Sequence, residues 1–276
     1  MKWLILGSSG QVGAALFEHL EGTGQQPIPF DIARDPKEDL RVGSQYTEQA
    51  IADADFVFFL AFDVGGSTYL AKFQDTFDFV HNNVRLMANT FELLAKHRKP
   101  FIFASSQMSN MSFSNYGLLK AVGERYTAML GGLTVKFWNV YGFESDPEKT
   151  HVITDFIDMA HKSKQIAMRT TGVEQRQFLY SEDCAEALLA LAHRYADVPR
   201  DAELHITNFE WSGILEVAQI IAGFFPGTTI VPGQKLDTVQ AGQRNEPNPR
   251  ILDFWKPKTG LREGIGNVAK RMGVMG

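Results

Sequence analysis

Cysteine is nearly missing: Cys184 is the single thiol in 276 residues. No internal disulfide can form, so the fold must rest on buried apolar surface, and a reducing, cytoplasmic setting is expected. Long hydrophobic runs are lacking as well. None approaches the ~20 residues of a membrane-spanning helix. The opening Met1-Lys2-Trp3-Leu4-Ile5-Leu6 is apolar only for the length of a strand before it meets glycine, so no signal peptide is expected. Positive charge is not in excess either, because 27 Lys and Arg stand against 32 Asp and Glu for a formal net charge of -5. That balance argues against general binding to nucleic acid or to anionic membrane. An anionic ligand would have to be met by locally placed cations. The sequence shows no repeats or low-complexity tracts, and no metal site is expected. What is there is an ordinary globular composition, 44% hydrophobic and 21% charged, on a chain long enough for one large domain with a smaller dependent lobe.

Short β-branched or aromatic runs alternate with longer helical stretches, the pattern of a parallel sheet wrapped by helices. An α/β fold of the doubly wound Rossmann type is expected, with a smaller C-terminal lobe. Strands are predicted over residues 3–6, 26–31, 56–61, 101–104 and 134–140, and helices over 11–21, 77–98 and 116–130. After Gly142, Asp-Pro, Gly-Thr and Asn-Glu-Pro-Asn-Pro segments break the chain into shorter elements. Residues 178–194 and 204–207 again read as helix then strand. The division is therefore a Rossmann domain over 1–142, completed by about 176–207, with 143–175 and 208–276 forming the lobe.

The first strand leads into Gly7-Ser8-Ser9-Gly10-Gln11-Val12-Gly13 and then a helix. Glycines at that junction let the backbone turn tightly and approach a pyrophosphate at the helix N-terminus. Gly7, Ser9, Gly10, Gln11, Val12 and Gly13 are thus candidate dinucleotide contacts. Glycines also make plain turns; the position in the first β-α unit is what favours the dinucleotide. Asp31 closes the second strand 18 positions after Gly13, where a carboxylate can accept from the adenosine ribose hydroxyls. NAD is the expected cofactor. Arg34, three residues on, could hold a 2′-phosphate and keeps NADP open.

Tyr116-Gly117-Leu118-Leu119-Lys120 sets a phenol and an ammonium at i and i+4, on one face of a helix. A nearby cation favours phenolate, so Lys120 would make Tyr116 usable as a base for a hydroxyl proton. The same spacing arises by chance on amphipathic helices. Here the strand at 101–104 ends in Ser105 and Ser106 just upstream, where a hydroxyl can face the same pocket.

This combination resembles the extended short-chain dehydrogenase/reductases, the family of nucleotide-sugar epimerases, dehydratases and reductases, along nearly the whole chain. The resemblance implies that Ser106, Tyr116 and Lys120 are the catalytic set. It implies cofactor contacts at Gly7 to Gly13, at Asp39-Leu40 as the adenine-contacting pair, at Leu60-Ala61 along the cofactor, and at Asn83 on the following helix. Trp138-Asn139-Val140-Tyr141-Gly142 is similar to the Asn-Val-Tyr-Gly signature, which implies Val140 beside cofactor and Asn139 beside substrate. Gln175 to Tyr180 with Asp183 resembles the segment whose arginine reaches the nucleotide diphosphate. Arg176 and Arg244 are the candidates for that role, and Gln107 for a further substrate contact.

Departures from the family pattern narrow the chemistry. Only ten positions separate Ser106 from Tyr116, a shorter connection than family members usually have. The Asp-Glu pair of sugar-nucleotide 4,6-dehydratases is replaced by Gln107 and Met108, and the loop has no cysteine of the kind that epimerises C3 and C5. The resemblance thus argues against both reactions and leaves redox at C4, by a nucleotide-sugar 4-epimerase or a 4-keto reductase. Residues 61–66 look like the Val-Gly-Gly stretch of GDP-sugar enzymes. An alternative from another class is a non-catalytic NAD(P)-binding regulatory or scaffold protein. Finally, Phe73, Phe77, Val80, Val84, Met87 and Phe91 recur at helical spacing, and the family often pairs such a helix with the Tyr116 helix across a two-fold. A homodimer is expected.

Overall fold

The computed structural model describes residues 1–111, 113–144, 146–236 and 245–275. Strand and helix alternate through the first half: β1 (Lys2–Leu6), α1 (Gln11–Gly22), β2 (Gln26–Phe30), α2 (Gln45–Asp53), β3 (Phe56–Phe59), α3 (Ser67–Phe73), α4 (Phe77–His97), β4 (Phe101–Ser106), α5 (Asn115–Leu130) and β5 (Leu133–Phe137). Shorter elements follow: β6 (Asn139–Tyr141), α6 (Val152–Ser163), β7 (Gln165–Ala167), β8 (Gln175–Arg176), β9 (Phe178–Tyr180), α7 (Ser181–His193), β10 (Leu204–Ile206), β11 (Ser212–Gly213), α8 (Ile214–Phe224), β12 (Thr229–Val231) and α9 (Leu261–Arg271).

Six strands form one parallel sheet in the order β10-β5-β4-β3-β1-β2. This is the doubly wound α/β architecture expected from the sequence. The chain steps from β1 out to β2, then passes back over β1 to lay β3 on its other side. That reversal opens a crevice at the carboxyl ends of β1 and β3. The strands are apolar on both faces because helices cover both. Along β1, Trp3 and Ile5 enter a core shared with α1 and α7, while Leu4 and Leu6 enter a second core shared with α2, α4 and α5. A third core joins α6, α8 and α9 with β7 and β9 in the smaller lobe. Ile251 and Trp255, late in the chain, pack back onto the first core. Cys184 lies buried there too, and burial pushes its thiol up, so it is a packing residue. Among the described residues no helix is long and apolar enough to cross a membrane.

The structure redraws several expected elements. The strand expected over 134–140 breaks at Trp138: β5 ends at Phe137, and β6 leaves the sheet to pair with β9. The break is a tight turn in which the Val140 N–H donates to the Trp138 carbonyl at 3.0 Å. β4 runs on through Ser105 and Ser106, which sit in the ladder opposite Lys136 and Phe137. Residues 178–180, expected to begin a helix, form β9, and α7 starts at Ser181. The apolar face expected on the long helix divides. Met87 and Phe91 are buried in the second core, whereas Phe77 is 76% and Val84 46% exposed.

Candidate active site

The crevice between β1 and β3 is lined by the glycine loop, whose three glycines answer to different demands. Gly7 has φ +91°, and a Cβ there would lie 2.6 Å from the Ala61 nitrogen. A Cβ on Gly13 would lie 2.1 Å from the Gly7 carbonyl oxygen. Both are required by backbone packing, the first of the loop against β3's end and the second of α1 against the loop. Gly10 is different: its φ is -71°, and a Cβ would meet only the Gly7 carbonyl oxygen at an ordinary 3.5 Å. The fold has room for a side chain at position 10, and the sequence places none. α1 also starts without a side-chain cap, which leaves its first N–H groups for an anion. Ser8 Oγ is buried in the same loop with no hydrogen-bond partner among the described residues. These features fit a pyrophosphate. With its amide oriented to satisfy both neighbours, Gln11 donates to the Val140 carbonyl at 2.9 Å and accepts from the Gly142 N–H at 3.1 Å. That ties Val140 to the start of α1.

At the end of β2, Asp31 accepts from the Ser9 N–H at 3.0 Å and from the Ala33 N–H at 2.9 Å. Its own N–H donates to Glu38 at 2.6 Å, and Glu38 is buried. Glu38 thus braces the Asp31 backbone from the turn that follows. Arg34 is on the adjoining turn, with its Nε 3.9 Å from Glu38. Asp39 is gripped by Arg41, and hydrogen bonding from that guanidinium holds its carboxyl below the usual carboxylate range. Leu40 turns its side chain into the second core while its carbonyl accepts from Asn89. Leu60 continues from β3 with its N–H on the Leu6 carbonyl, and Ala61 is the residue that Gly7 packs against.

The candidate catalytic set assembles across β4 and α5. Ser106 is the last residue of β4, and Tyr116 lies in the first turn of α5, which Ser114 caps by accepting from the Gly117 N–H. A Cβ on Gly117 would lie 2.2 Å from the Met108 carbonyl oxygen. This glycine lets α5 press onto the turn after β4, and so the ten-residue connection closes without lengthening. Ser106 lies beside the Tyr116 side chain. Burial pushes the Tyr116 phenol up to about 12, with the Ser106 side chain acting the other way. Lys120, one turn on, is 3% exposed, and its Nζ donates to the Ala104 carbonyl at 2.7 Å. Burial pulls its ammonium down to about 7, opposed by the field of Glu124. The three residues named from the sequence thus meet at one place.

Asn83 is wholly buried and acts on the loop after β3: its Oδ1 accepts from the Asp63 N–H at 2.8 Å, and its Nδ2 donates to the Asp63 and Phe79 carbonyls. Gly65 and Gly66 on that loop are packing positions, because a Cβ on Gly66 would lie 2.2 Å from the Thr150 carbonyl oxygen. Gln107 is buried, and both its carbonyl and its Oε1 accept from Asn245 Nδ2, at 2.9 and 2.7 Å. Asn139 is half-buried, with its N–H on the Gln177 carbonyl. Arg176, on β8, donates to the Gln175 carbonyl at 2.8 Å and is half-buried. Arg244 lies outside the described residues.

Sequence reasoning passed over four of these positions. Glu38 and Ser8 sit inside motifs already singled out. Phe62, the residue after Ala61, lays its ring against Tyr116 at 5.7 Å between centroids. His151 is half-exposed, and both its ring and its N–H bond to Glu144, which also accepts from Thr154 at 2.7 Å. Burial would raise the Glu144 carboxyl, but the His151 bonds outweigh it and hold it below the usual range. Residues 63, 66 and 149–151 are in contact, through Lys149 and Asp63 at 3.4 Å and through Gly66 and Thr150. No periodicity in the sequence announces such loop-to-loop contacts.

Known proteins are similar to this chain in sequence and fold. A GDP-L-fucose synthase of Sinorhizobium fredii (strain NBRC 101917 / NGR234) is 28% identical over 137 residues, which cover 46% of this chain and 42% of that protein. A dTDP-D-glucose 4,6-dehydratase of Bos taurus is 30% identical over 135 residues, 46% of this chain and 37% of the relative. The chain thus spans less than half the length of either curated relative. Among solved structures, the UDP-glucose 4-epimerase of Thermotoga maritima, determined with UDP-glucose, superposes with a TM-score of 0.82 over 99% of this chain and 98% of that one, at 17% identity. Residues 3–206, which carry the glycine loop, β4 and the Tyr116 helix, match one family model, and on that match the chain belongs to the NAD dependent epimerase/dehydratase family.

Proposed function

We propose that this protein is an NAD-dependent nucleotide-sugar 4-epimerase or 4-keto reductase in which Tyr116 exchanges the proton at the C4 oxygen. The meeting of Ser106 at the end of β4 with Tyr116 and the buried Lys120 on α5 carries the proposal. The residues present fit the cofactor. Gly7, Ser9, Gly10, Gln11, Val12 and Gly13 would hold the pyrophosphate, Asp31 the adenosine ribose, and Lys120 the nicotinamide ribose. Bound NAD would supply or accept the hydride. Asp31 and Glu38 together oppose a 2′-phosphate, which favours NAD over NADP.

Tyr116 does the acid-base work, and its environment sets the direction it favours. A phenol pushed up to about 12 stands protonated at neutral pH, ready to give its proton to a carbonyl oxygen at C4. Taking a proton from a C4 hydroxyl requires the opposite help, a cation beside the phenol, and Lys120 is the residue proposed to give it. Ser106 orients the reacting oxygen. Elimination of water would need a titrating pair beside Ser106, and Gln107 cannot titrate. Membership of the family leaves dehydration open, since a dehydratase is among the relatives; Gln107 is what favours redox. Arg176 is the proposed diphosphate contact, and a homodimer through α4 and α5 the proposed assembly.

The test is turnover on UDP- and GDP-linked hexoses and their 4-keto forms. Tyr116→Phe is expected to lower kcat by at least about 10²-fold while leaving cofactor affinity nearly unchanged. Near-wild-type turnover by that variant would remove Tyr116 from the mechanism and move the chemistry to other residues, whereas no turnover by wild type on any of these substrates would favour a non-catalytic NAD-binding protein.

A further inference from the structure

The Lys120 ammonium is enclosed by aromatic rings. Its Nζ lies 3.8 Å from the centroid of Phe62, 5.2 Å from Phe103 and 5.9 Å from Tyr116. An ammonium has three hydrogens to give. The Ala104 carbonyl takes one, and it is the single hydrogen-bond acceptor that Nζ reaches among the described residues. Phe103 is a fully buried β4 residue and cannot move aside. Phe62 is half-exposed, on the cleft loop, and its ring face covers the remaining approach to Nζ.

The loop that carries Phe62 is pinned directly after it. Asn83 bonds both the N–H and the carbonyl of Asp63, and Gly65 and Gly66 are packed against residues 149–150. Backbone retreat is therefore resisted, and the ring clears Lys120 by turning about its own side-chain bonds. A ribose hydroxyl that bonds Lys120 must take the place of a cation-π contact.

We infer that Phe62 is an affinity-determining residue for the dinucleotide: its ring competes with the nicotinamide ribose for Lys120 and keeps the cofactor exchangeable. This rests on the reading above that Lys120 meets that ribose. A 4-epimerase regenerates its NAD and gains nothing by releasing it, whereas a reductase must exchange the cofactor at every turnover. A ring that weakens cofactor binding thus favours the 4-keto reductase of the two activities proposed.

Calorimetric titration of NAD and NADH into wild type and Phe62→Ala tests this, alongside native mass spectrometry of freshly purified wild type. Loss of the ring should tighten the dissociation constant by at least about 3-fold, the scale of one partly solvated cation-π contact. Wild type should carry less than one cofactor per chain. Phe62→Leu keeps apolar bulk without a π face, should shift binding in the same sense, and stands in if Phe62→Ala does not fold. Unchanged or weaker binding in the folded variant, or wild type purified with one cofactor per chain, overturns the role of Phe62 alone. Wild type that binds neither NAD(H) nor NADP(H) overturns the cofactor reading itself, and this inference with it.

Discussion

Replacing Gly10 by alanine separates the demands of the fold from those of the ligand. The added Cβ would meet one atom, the Gly7 carbonyl oxygen at 3.5 Å, and φ of -71° is open to any residue. A stiffer unfolded chain would stabilise the variant by about 0.4–1 kcal/mol. Alanine is a poorer N-cap than glycine and costs an amount of the same order, roughly 0.5–1 kcal/mol. The two nearly cancel, so the melting temperature should stay within about 4 °C of wild type. Gly13→Ala gives the contrast: its methyl would sit 2.1 Å from the Gly7 carbonyl oxygen, so loop or helix must shift. A cost of about 3 kcal/mol is expected, a fall of roughly 6–12 °C. Cofactor binding should order the variants differently. The Gly10→Ala methyl stands where a pyrophosphate approaches the helix N-terminus and should weaken NAD at least about 10-fold in an otherwise intact protein. Thermal melts and calorimetry on the two variants decide the matter. Gly10→Ala protein that melts and binds NAD like wild type would show the loop to be a turn and nothing more.

Other outcomes follow from the same geometry. NAD(H) should bind at least about 10-fold more tightly than NADP(H), and Glu38→Gln should narrow the gap; calorimetric preference for NADP(H) would promote Arg34 over Asp31. Lys120 titrates at 10.5 when unfolded and at about 7 when folded, so between those values the unfolded chain binds the extra proton and stability rises with pH. The rise is at most about 5 kcal/mol, and Lys120→Met should lose it; denaturant melts of both proteins from pH 6 to 10, as a difference, would expose parallel curves if the reasoning fails. On α4 and α5, Phe77, Leu118, Val122, Tyr126 and Met129 are exposed apolar residues. If these faces pair across a two-fold, Val122→Glu should convert a sedimenting dimer to monomer, and a wild-type monomer at every concentration would refute the assembly.

Much of this was legible in the sequence because it depends on local rules. A short aromatic and β-branched run such as Phe56-Val57-Phe58-Phe59 reads as a strand buried on both faces, and the alternation of such runs with helices points to a parallel sheet. The i, i+4 spacing of Tyr116 and Lys120, and the glycines at the end of the first strand, likewise need only the geometry of one element. The strand break at Trp138 was not legible, because residues 134–140 are rich in β-branched and aromatic residues and contain no glycine or proline to mark a turn. What turns Asn139 and Val140 away from the sheet is the Gln177 carbonyl and the pairing with β9, which lie about 38 positions on.

Tertiary structure alone decided which equivalent-looking residues do which work. Of three glycines in one motif, two are held by backbone contacts to distant or folded-back segments and one is left free. Of the six apolar positions expected on one helix, Phe73 falls on α3, and of the five on α4 Met87 and Phe91 entered the core while Phe77 and Val84 stayed on the surface. Phe62 reads as one more apolar residue after a strand, yet packing sets its ring on an ammonium 58 positions away. Sequence determines periodicity and the chemistry each element can carry; which side chains share a pocket is set by how the elements close on one another, and no local pattern encodes that distance.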